Sequence, residues 1–448
     1  MSNASTIYAP ATGFGRAAIS VIRISGPASA DVLGRLTGAL PPPRRLSLRT
    51  LRNTDGDVLD QALVAWMPGP GTVTGEDMAE LHLHGGLAVR SAVLGALATV
   101  PGCEPAQPGA FTRRAFLNGR LDLTEAEGIA DLIDAETEAQ RRQALRQLDG
   151  ALGRQVADWR TRLIDLLAGV EAALDFSDEG DVDEAALDAA LTAKAALLRD
   201  EIARTLADGR RGERLREGFV VVLAGAPNAG KSTLLNALSR RDAAIVSAIP
   251  GTTRDVIEVR CDLGGLPVIL VDTAGLRDAG DPIEAEGIRR TRVRMEQADL
   301  ILLLRAPDEA GNAASHTDET DLHVPAGVPT LTIRTKQDVV ASGAEAEDQT
   351  ALRISALTGL GLDRLLGRIE AQAAEAVGGG SALITRERHR LGLARCRDHL
   401  DRLLAGSALP ELAAEDLRLA VRALGEVAGM VGVEELLDRL FSGFCIGK

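Results

Sequence analysis

At 448 residues, with 45% hydrophobic residues and a formal net charge of −14, the chain is long enough for two or three domains and too acidic to hold nucleic acid by bulk charge. Aromatic residues make up 2% of it, which argues against a base-stacking platform. Cys103, Cys261, Cys396 and Cys445 are widely spaced with no CxxC pair, so they read as reduced thiols of a cytoplasmic protein, and no segment reads as a signal peptide or membrane span.

Residues 1–118 read as an α+β domain. Ala18–Ser25 is strand-like. Ala79–His84 alternates, with Ala79, Leu81 and Leu83 on one side and Glu80, His82 and His84 on the other. His82 and His84 read as a strand-face pair, since no third metal ligand is evident. Gly85-Gly86 breaks into a helix expected over Leu87–Ala98, and Pro41-Pro42-Pro43 and Pro101-Gly102 mark loops. Residues 119–215 are helical in texture. Leu152, Val156, Trp159, Leu163, Leu166, Val170 and Leu174 make one narrow apolar stripe, and Leu187, Leu191, Leu198, Ile202 and Leu206 suggest a second helix.

Over residues 216–377 the texture changes. Phe219–Ala224, Val268–Val271, Leu300–Leu304 and Leu331–Arg334 are short apolar runs separated by helix-length segments, the pattern of a parallel α/β sheet. Helical texture returns over 378–448, where Leu417, Val421, Leu424, Ala428 and Val431 form a stripe. A narrow-striped helix needs a partner. The two helical parts are therefore expected to pack together, with the α/β domain inserted between them.

Gly225-Ala226-Pro227-Asn228-Ala229-Gly230-Lys231-Ser232 fits G-x-x-x-x-G-K-S, between a strand and the helix-like Thr233–Leu238. Backbone N–H groups of such a loop point at phosphates, Lys231 reaches the β- and γ-phosphates, and Ser232 ligates Mg²⁺. Asp272-Thr273-Ala274-Gly275 ends the next strand, with Asp272 where a carboxylate holds Mg²⁺ through water. Gly251-Thr252-Thr253-Arg254-Asp255 lies between the two motifs, and a threonine there closes over Mg²⁺ or is an ordinary loop hydroxyl. Thr335-Lys336-Gln337-Asp338 follows the strand Leu331–Arg334. A carboxylate at Asp338 accepts from guanine N1–H and its 2-amino group, donors that adenine lacks, so the base is guanine. Asn usually stands where Thr335 is. Ser355-Ala356-Leu357 suits a backbone contact to guanine O6. Leu276 occupies the place of the water-orienting Gln of Ras-like GTPases and cannot orient water. Asn228 either shapes the loop or ligates a monovalent cation beside the phosphates.

With these residues in view, the chain resembles the MnmE (TrmE) family of GTPases acting in tRNA wobble-uridine modification. Arg23-Ile24-Ser25-Gly26-Pro27, Thr74-Gly75-Glu76-Asp77 and His84-Gly85-Gly86 carry the likeness, as do the specific stretch Phe111–Leu123 and the terminal Phe444-Cys445-Ile446-Gly447-Lys448. The resemblance implies an α+β folate-binding and dimerisation domain, a helical domain, and an inserted Ras-like α/β P-loop GTPase domain. It implies a GTP-contacting set of Asn228, Ala229, Gly230, Lys231, Ser232 and Thr233, then Ser247, Ala248, Ile249, Pro250, Gly251, Thr252 and Thr253, then Asp272, Thr273, Ala274 and Gly275, and finally Thr335, Lys336, Asp338, Ser355, Ala356 and Leu357. Mg²⁺ falls to Ser232 and Thr253. K⁺ falls to Asn228, Ser247, Thr252 and the carbonyl of Ile249. Glu284 and Lys231 take catalytic roles, and Cys445 matches a functionally important thiol.

A tetrahydrofolate derivative, 5-formyl or 5,10-methylene, is implied at Arg23, Glu80, Arg120 and Lys448. Arg120 stands where the family commonly has Lys, which keeps the charge and changes the hydrogen-bond geometry. The implied partners are GTP, tRNA, a second copy of the chain and an FAD-containing MnmG-type protein, with FAD only in that partner. The implied process adds a carboxymethylaminomethyl-type group to C5 of the wobble uridine. The alternative reading is a ribosome-assembly switch GTPase, which shares the P-loop and DTAG motifs and leaves Phe111–Leu123 and the terminal motif unexplained.

Overall fold

The computed structural model describes residues 5–175, 184–241, 244–245, 257–272, 293–307, 324–340, 351–378, 382–406, 410–431 and 434–448. By internal contacts the chain divides into two units. One comprises Met1–Ala130, Leu148–Ala168 and Leu417–Lys448, the other Asp131–Gln147 and Gly169–Asp416.

The first unit is built on strands β1 (Thr6–Pro10), β2 (Ile19–Ser25), β3 (Ser47–Arg52), β4 (Val58–Met67), β5 (Met78–His84) and β6 (Cys103–Pro105), with helices α1 (Ser29–Thr37), α2 (Leu87–Ala98) and α3 (Ala110–Leu117). The sheet order is β3-β4-β5-β2-β1-β6, antiparallel except for β1 beside β6. Ile22, Ile24, Leu51, Val64, Leu81 and Leu83 share one core with Val32, Leu33 and Leu36 of α1 and Val93 and Leu97 of α2. The alternation read along Ala79–His84 is therefore realised, and it turns Glu80, His82 and His84 to the opposite face. The helix over Leu87–Ala98 has the expected bounds, and the second strand begins one residue later than expected, at Ile19. The β3–β4 hairpin turns on Asn53, whose Oδ1 accepts from the N–H groups of Asp55 and Asp57 at 3.1 and 2.8 Å.

The helices that follow are α4 (Leu123–Asp134), α5 (Glu138–Leu148), α6 (Ala151–Asp175), α7 (Glu184–Ala207) and α8 (Gly209–Glu217). A reciprocal cap opens α4: Asp122 Oδ1 accepts from Glu125 N at 2.8 Å, and Glu125 Oε2 accepts from Asp122 N at 2.7 Å. Along α6, Leu152, Val156, Trp159, Leu163 and Leu166 are buried, as their spacing requires.

The second unit carries strands β7 (Phe219–Gly225), β8 (Ala244–Ile245), β9 (Ile257–Leu263), β10 (Leu266–Asp272), β11 (Leu300–Arg305), β12 (Thr330–Arg334) and β13 (Leu352–Arg353), with α9 (Lys231–Ser239) and α10 (Leu362–Val377). Their order is β13-β12-β11-β7-β10-β9-β8. From β13 to β10 the neighbours run parallel, whereas β9 runs antiparallel to β10, and β8 to β9. The sheet is thus mixed rather than parallel throughout. The reason is local: Gly264 and Gly265 have φ of 62° and 83°, a two-residue turn that returns β9 directly into β10. Val221 and Leu223 pack on Leu234, Leu235 and Leu238 of α9 and on Leu365 and Ile369 of α10, while Val222, Ala224, Val271 and Ile301 face a smaller cluster with Met295.

The chain continues through α11 (Glu387–Leu404), α12 (Pro410–Ala428) and α13 (Glu434–Ser442). In the second unit α11 packs along α7, so a helix after the α/β segment does find its partner before it. The short helix α8, which leads into β7, is gripped by charge on several sides. Glu213 accepts from Arg390 of α11 at 2.9 Å, Arg214 reaches Asp299 at 2.7 Å, and Arg216 reaches Asp131 at 2.9 Å, where Arg386 also donates at 2.6 Å. Among the described residues, no helix is long and apolar enough to cross a membrane.

Candidate nucleotide and folate sites

Strand β7 ends at Gly225, whose φ is 154° and where an added Cβ would lie 2.6 Å from the Leu304 carbonyl oxygen, so glycine is required. The loop then turns through Asn228 (φ 63°) to Gly230 (φ 95°), the N-cap of α9. The helix starts at Lys231, two residues before the expected Thr233. Its first-turn N–H groups and positive dipole end therefore sit at the loop itself. Lys231 is 7% exposed, and its Nζ donates to the carbonyls of Gly225 and Ala226 at 2.8 and 2.9 Å. Ser232 Oγ donates to Asp272 Oδ2 at 2.6 Å. Asp272 is fully buried at the end of β10, and β10 pairs with β7 so that Asp272 stands opposite Leu223. The pairing brings a carboxylate 40 positions away onto the loop. A hydroxyl and a carboxylate converging on one point are hard oxygen donors of the kind Mg²⁺ takes.

The base end is built after β12. Thr335 is 4% exposed. Its N–H donates to the Arg305 carbonyl at 2.8 Å, and its Oγ1 donates to the Ala229 carbonyl at 2.7 Å. The Thr335 hydroxyl thus ties the segment after β12 to the loop after β7. Lys336 adopts φ 54°, and Lys336 and Asp338 are both exposed. Ser355 Oγ donates to Asp338 Oδ1 at 2.6 Å and accepts from Thr358 N at 3.2 Å. The Ser355 hydroxyl, then a backbone N–H, hold the Asp338 carboxyl below its ordinary range, so it stays an acceptor. Ser355-Ala356-Leu357 thus lies beside Asp338, with Leu357 exposed. Ser247, Ala248, Ile249, Pro250, Gly251, Thr252, Thr253, Thr273, Ala274, Gly275, Leu276 and Glu284 lie outside the described residues.

On the face of the first unit's sheet opposite α1 and α2, Arg23 of β2 pairs with Glu80 of β5, donating from Nε and Nη2 to Oε1 at 3.1 and 3.0 Å. The Arg23 guanidinium lies 6.0 Å from the centre of the Phe111 ring. The carbonyl of Lys448 accepts from Phe111 N at 3.2 Å, and Gly447 lies so close to the Pro10 carbonyl that a Cβ would clash. The sheet face, α3 and the last residues of the chain therefore meet around Phe111. Arg120 stands apart from this group: it is exposed, and its stem lies over Gly75. Cys445 is exposed. His82 faces Glu80, and His84 Nδ1 is 2.7 Å from Asp60 Oδ1.

Residues 6–120 match the model of the GTP-binding protein TrmE N-terminus, and residues 123–445 match that of the MnmE helical domain. The tRNA modification GTPase MnmE of Methylorubrum populi is 70% identical over 447 residues, covering 99% of this chain and 98% of its own length. The protein of the same name from Methylobacterium radiotolerans is 67% identical, covering 100% of both chains. The chain belongs to the MnmE family of tRNA modification GTPases. Among solved structures, Era of Aquifex aeolicus bound to GDP and AlF4⁻ aligns over 43% of this chain and 69% of its own, at 23% identity and a TM-score of 0.28.

In this MnmE-family chain the most distinctive stretch, Phe111–Leu123, turns out to carry a buried network that the sequence did not reveal. Arg114 is 4% exposed. It donates to Glu76 Oε2 at 2.9 Å and to the Ser25 carbonyl at 3.2 Å, and Ser25 Oγ donates to the same Glu76 oxygen at 2.9 Å. Asn118 Nδ2 donates to the Thr74 carbonyl at 2.7 Å. The motifs Ser25-Gly26, Thr74–Asp77 and Arg114–Asn118 are three parts of one bolt between the sheet and α3. The sequence offers two adjacent arginines, Arg113 and Arg114, and nothing in it tells which is buried or names a partner.

Proposed function

We propose that this chain is a potassium-dependent GTPase that works with an FAD-containing partner of the MnmG type to add a carboxymethylaminomethyl-type group to C5 of the wobble uridine of certain tRNAs. What carries the reading is the convergence, in a chain of this family, of Lys231, the Ser232–Asp272 pair, the Thr335–Ala229 tie and the Asp338–Ser355 pair at one end of the β7–β10–β11–β12 sheet. In this reading the first-turn N–H groups of α9 and Lys231 hold the β- and γ-phosphates, and Asp338 takes the guanine edge. Ser232 and Thr253 hold Mg²⁺, which supplies charge neutralisation between those phosphates when bound. Asn228, Ser247, Ile249 and Thr252 hold K⁺ in place of an arginine finger. Glu284 orients the attacking water indirectly, consistent with a leucine at position 276.

The N-terminal unit takes a 5-formyl or 5,10-methylene tetrahydrofolate at Arg23, Glu80, Arg120 and Lys448, and the folate supplies the added carbon. The meeting of Arg23, Glu80, Phe111 and the Lys448 backbone supports this, with Arg120 the weakest member. We assign residues 1–118 to folate binding and dimerisation, 119–215 and 378–448 to the helical domain, and 216–377 to the GTPase domain, in a cytoplasmic homodimer. GTP hydrolysis drives conformational change in the complex with the partner, with Cys445 exposed near the chain end for a role in it. Nucleoside analysis of tRNA from cells lacking this protein tests the reading: loss of the C5 substituent is expected, and a normal wobble uridine overturns it.

A further inference from the structure

The loop between β1 and β2 meets the start of α2 at one end of the N-terminal sheet. Thr12 Oγ1 lies 3.1 Å from Ser20 Oγ and accepts from Val21 N at 3.2 Å, which pins the beginning of the loop. Gly85 N donates to the Ala18 carbonyl at 3.2 Å and Ala17 N to the Gly85 carbonyl at 3.4 Å, which pins its end beside the first residues of α2. Between the pins Gly13, Phe14, Gly15 and Arg16 are exposed, and an added Cβ at Gly13 or Gly15 would meet nothing within 4 Å. Phe14 is 84% exposed, yet the guanidinium carbon of Arg90 lies 4.9 Å from the centre of its ring. Arg90 stands in the first turn of α2, where its N–H donates to the Gly86 carbonyl at 3.1 Å. Helix side chains lean toward the N-terminus, so its guanidinium lies at that end of α2.

This corner is positive on two counts. Arg90 is 8% exposed, and among the described residues no hydrogen bond or ion pair reaches its guanidinium. A charge so far withdrawn from water ordinarily has a counter-charge. The dipole of α2 adds to the positive field instead of offsetting it: no side chain caps this helix, and its first turn holds no acidic residue. Asp60 of the neighbouring β4 is engaged elsewhere, 2.7 Å from His84 Nδ1 and accepting from the His84 backbone N–H at 2.9 Å. Arg90 and the helix start therefore both favour an anion, and the ring beside them keeps an open outer face on which a planar group can stack.

We propose that Phe14, Arg90 and the N-terminus of α2 form a contact for RNA, in which one backbone phosphate takes the Arg90 guanidinium and the first N–H groups of α2 while the adjoining base stacks on the outer face of Phe14. A phosphate accepts from both kinds of donor and gives Arg90 its counter-charge. Stacking on a single aromatic ring is tolerant of base identity, so the contact holds the strand without reading its sequence. The chain belongs to a family of tRNA modification GTPases and is too acidic to hold RNA by overall charge, so its grip on RNA has to be local. The inference rests on tRNA being the substrate and is independent of the folate reading.

The test is fluorescence anisotropy of a labelled anticodon stem–loop RNA titrated with the full-length protein between about 50 and about 200 mM salt. Phe14→Ala is expected to weaken binding about five- to thirtyfold, and Phe14→Trp to keep it. Arg90→Leu should weaken binding and lower the slope of log affinity against log salt by about one. Phe14→Ala, on an exposed loop, should keep the natural melting temperature and GTP turnover. Should Arg90→Leu not fold, the pair of Phe14 variants carries the test. Affinities of Phe14→Ala and Arg90→Leu within twofold of the natural chain overturn the proposal, as does a natural chain that binds no RNA at the lowest salt. A Phe14→Ala chain that binds RNA normally but shifts the monomer–dimer balance in sedimentation velocity marks this corner as a contact between copies and overturns it too. Any of these results alongside a wobble uridine that still depends on the protein in cells leaves the proposed function standing and removes only this contact.

Discussion

Thr335→Val isolates the tie between the two ends of the nucleotide site. Valine keeps the shape of threonine and removes the hydroxyl, which donates to the Ala229 carbonyl at 2.7 Å in a place where Thr335 is 4% and Ala229 2% exposed. A buried acceptor left without its donor costs about 1–3 kcal/mol. In the proposed function Ala229 belongs to the phosphate loop and Thr335 opens the base-recognition segment, so the penalty falls on their alignment. The Thr335 N–H still donates to the Arg305 carbonyl at 2.8 Å and keeps the backbone in place, which favours the lower part of that range. About 1–2 kcal/mol corresponds to roughly five- to thirtyfold weaker guanine-nucleotide binding. Titration with a fluorescent GDP analogue would measure it, with Thr335→Ser as the control that retains the hydroxyl. Preference for guanine over adenine should persist, because Asp338 is untouched. Affinity of Thr335→Val within twofold of the natural chain would refute the reasoning.

Further outcomes follow from other contacts. The Asp338 carboxyl is held below its ordinary range chiefly by Ser355, so its ionised form persists as pH falls past the usual aspartate value of about 4 and is lost only at the lower, depressed one. In Ser355→Ala the acid loss of guanine-nucleotide binding should move to higher pH, and coincident profiles would clear the hydroxyl of that role. Arg114→Leu removes the cation from a partly buried Glu76, which keeps its bond from Ser25, and should destabilise the first unit by about 1–3 kcal/mol. Urea unfolding followed by tryptophan fluorescence reports on that unit, since Trp66 and Trp159 both lie in it; a loss below about 1 kcal/mol would count against a structural bolt. Replacing K⁺ by Na⁺ should slow GTP turnover strongly, and equal rates would remove potassium from the mechanism. Glu284→Ala should spare GTP binding and depress hydrolysis, whereas a joint fall would mark the residue as structural.

How much of this was legible depended on the reach of each signal. The helix Leu87–Ala98 and the strands around Phe219 and Val268 were readable because apolar spacing and glycine breaks are local. The strand Ile257–Leu263 also alternates, with Ile257, Val259, Cys261 and Leu263 against Glu258, Arg260 and Asp262. Its antiparallel course was readable in principle from Gly264-Gly265. β13, with two residues, is too short to carry a pattern. Motif spacing alone singled out Lys231, Ser232, Asp272 and Asp338 as candidates, and the fold brings Ser232 onto Asp272. The use of Thr335 was not legible, because its partner lies 106 residues away and the hydroxyl replaces an expected amide. Arg114 is likewise explained only by Glu76, brought within reach by the fold.

The grip on α8 has a consequence for how the protein is handled. Glu213, Arg214 and Arg216 hold this nine-residue segment to its surroundings by ion pairs whose side chains keep some contact with solvent. Such pairs weaken as dissolved salt shortens the Debye length, from about 10 Å at 0.1 M to about 3 Å at 1 M. Adding potassium chloride therefore does two things at once, supplying the cation of the proposed site and weakening the ion pairs around the helix that leads into β7. Only a series at constant ionic strength, with an inert cation making up the balance, separates a chemical requirement for potassium from a weakening of those pairs.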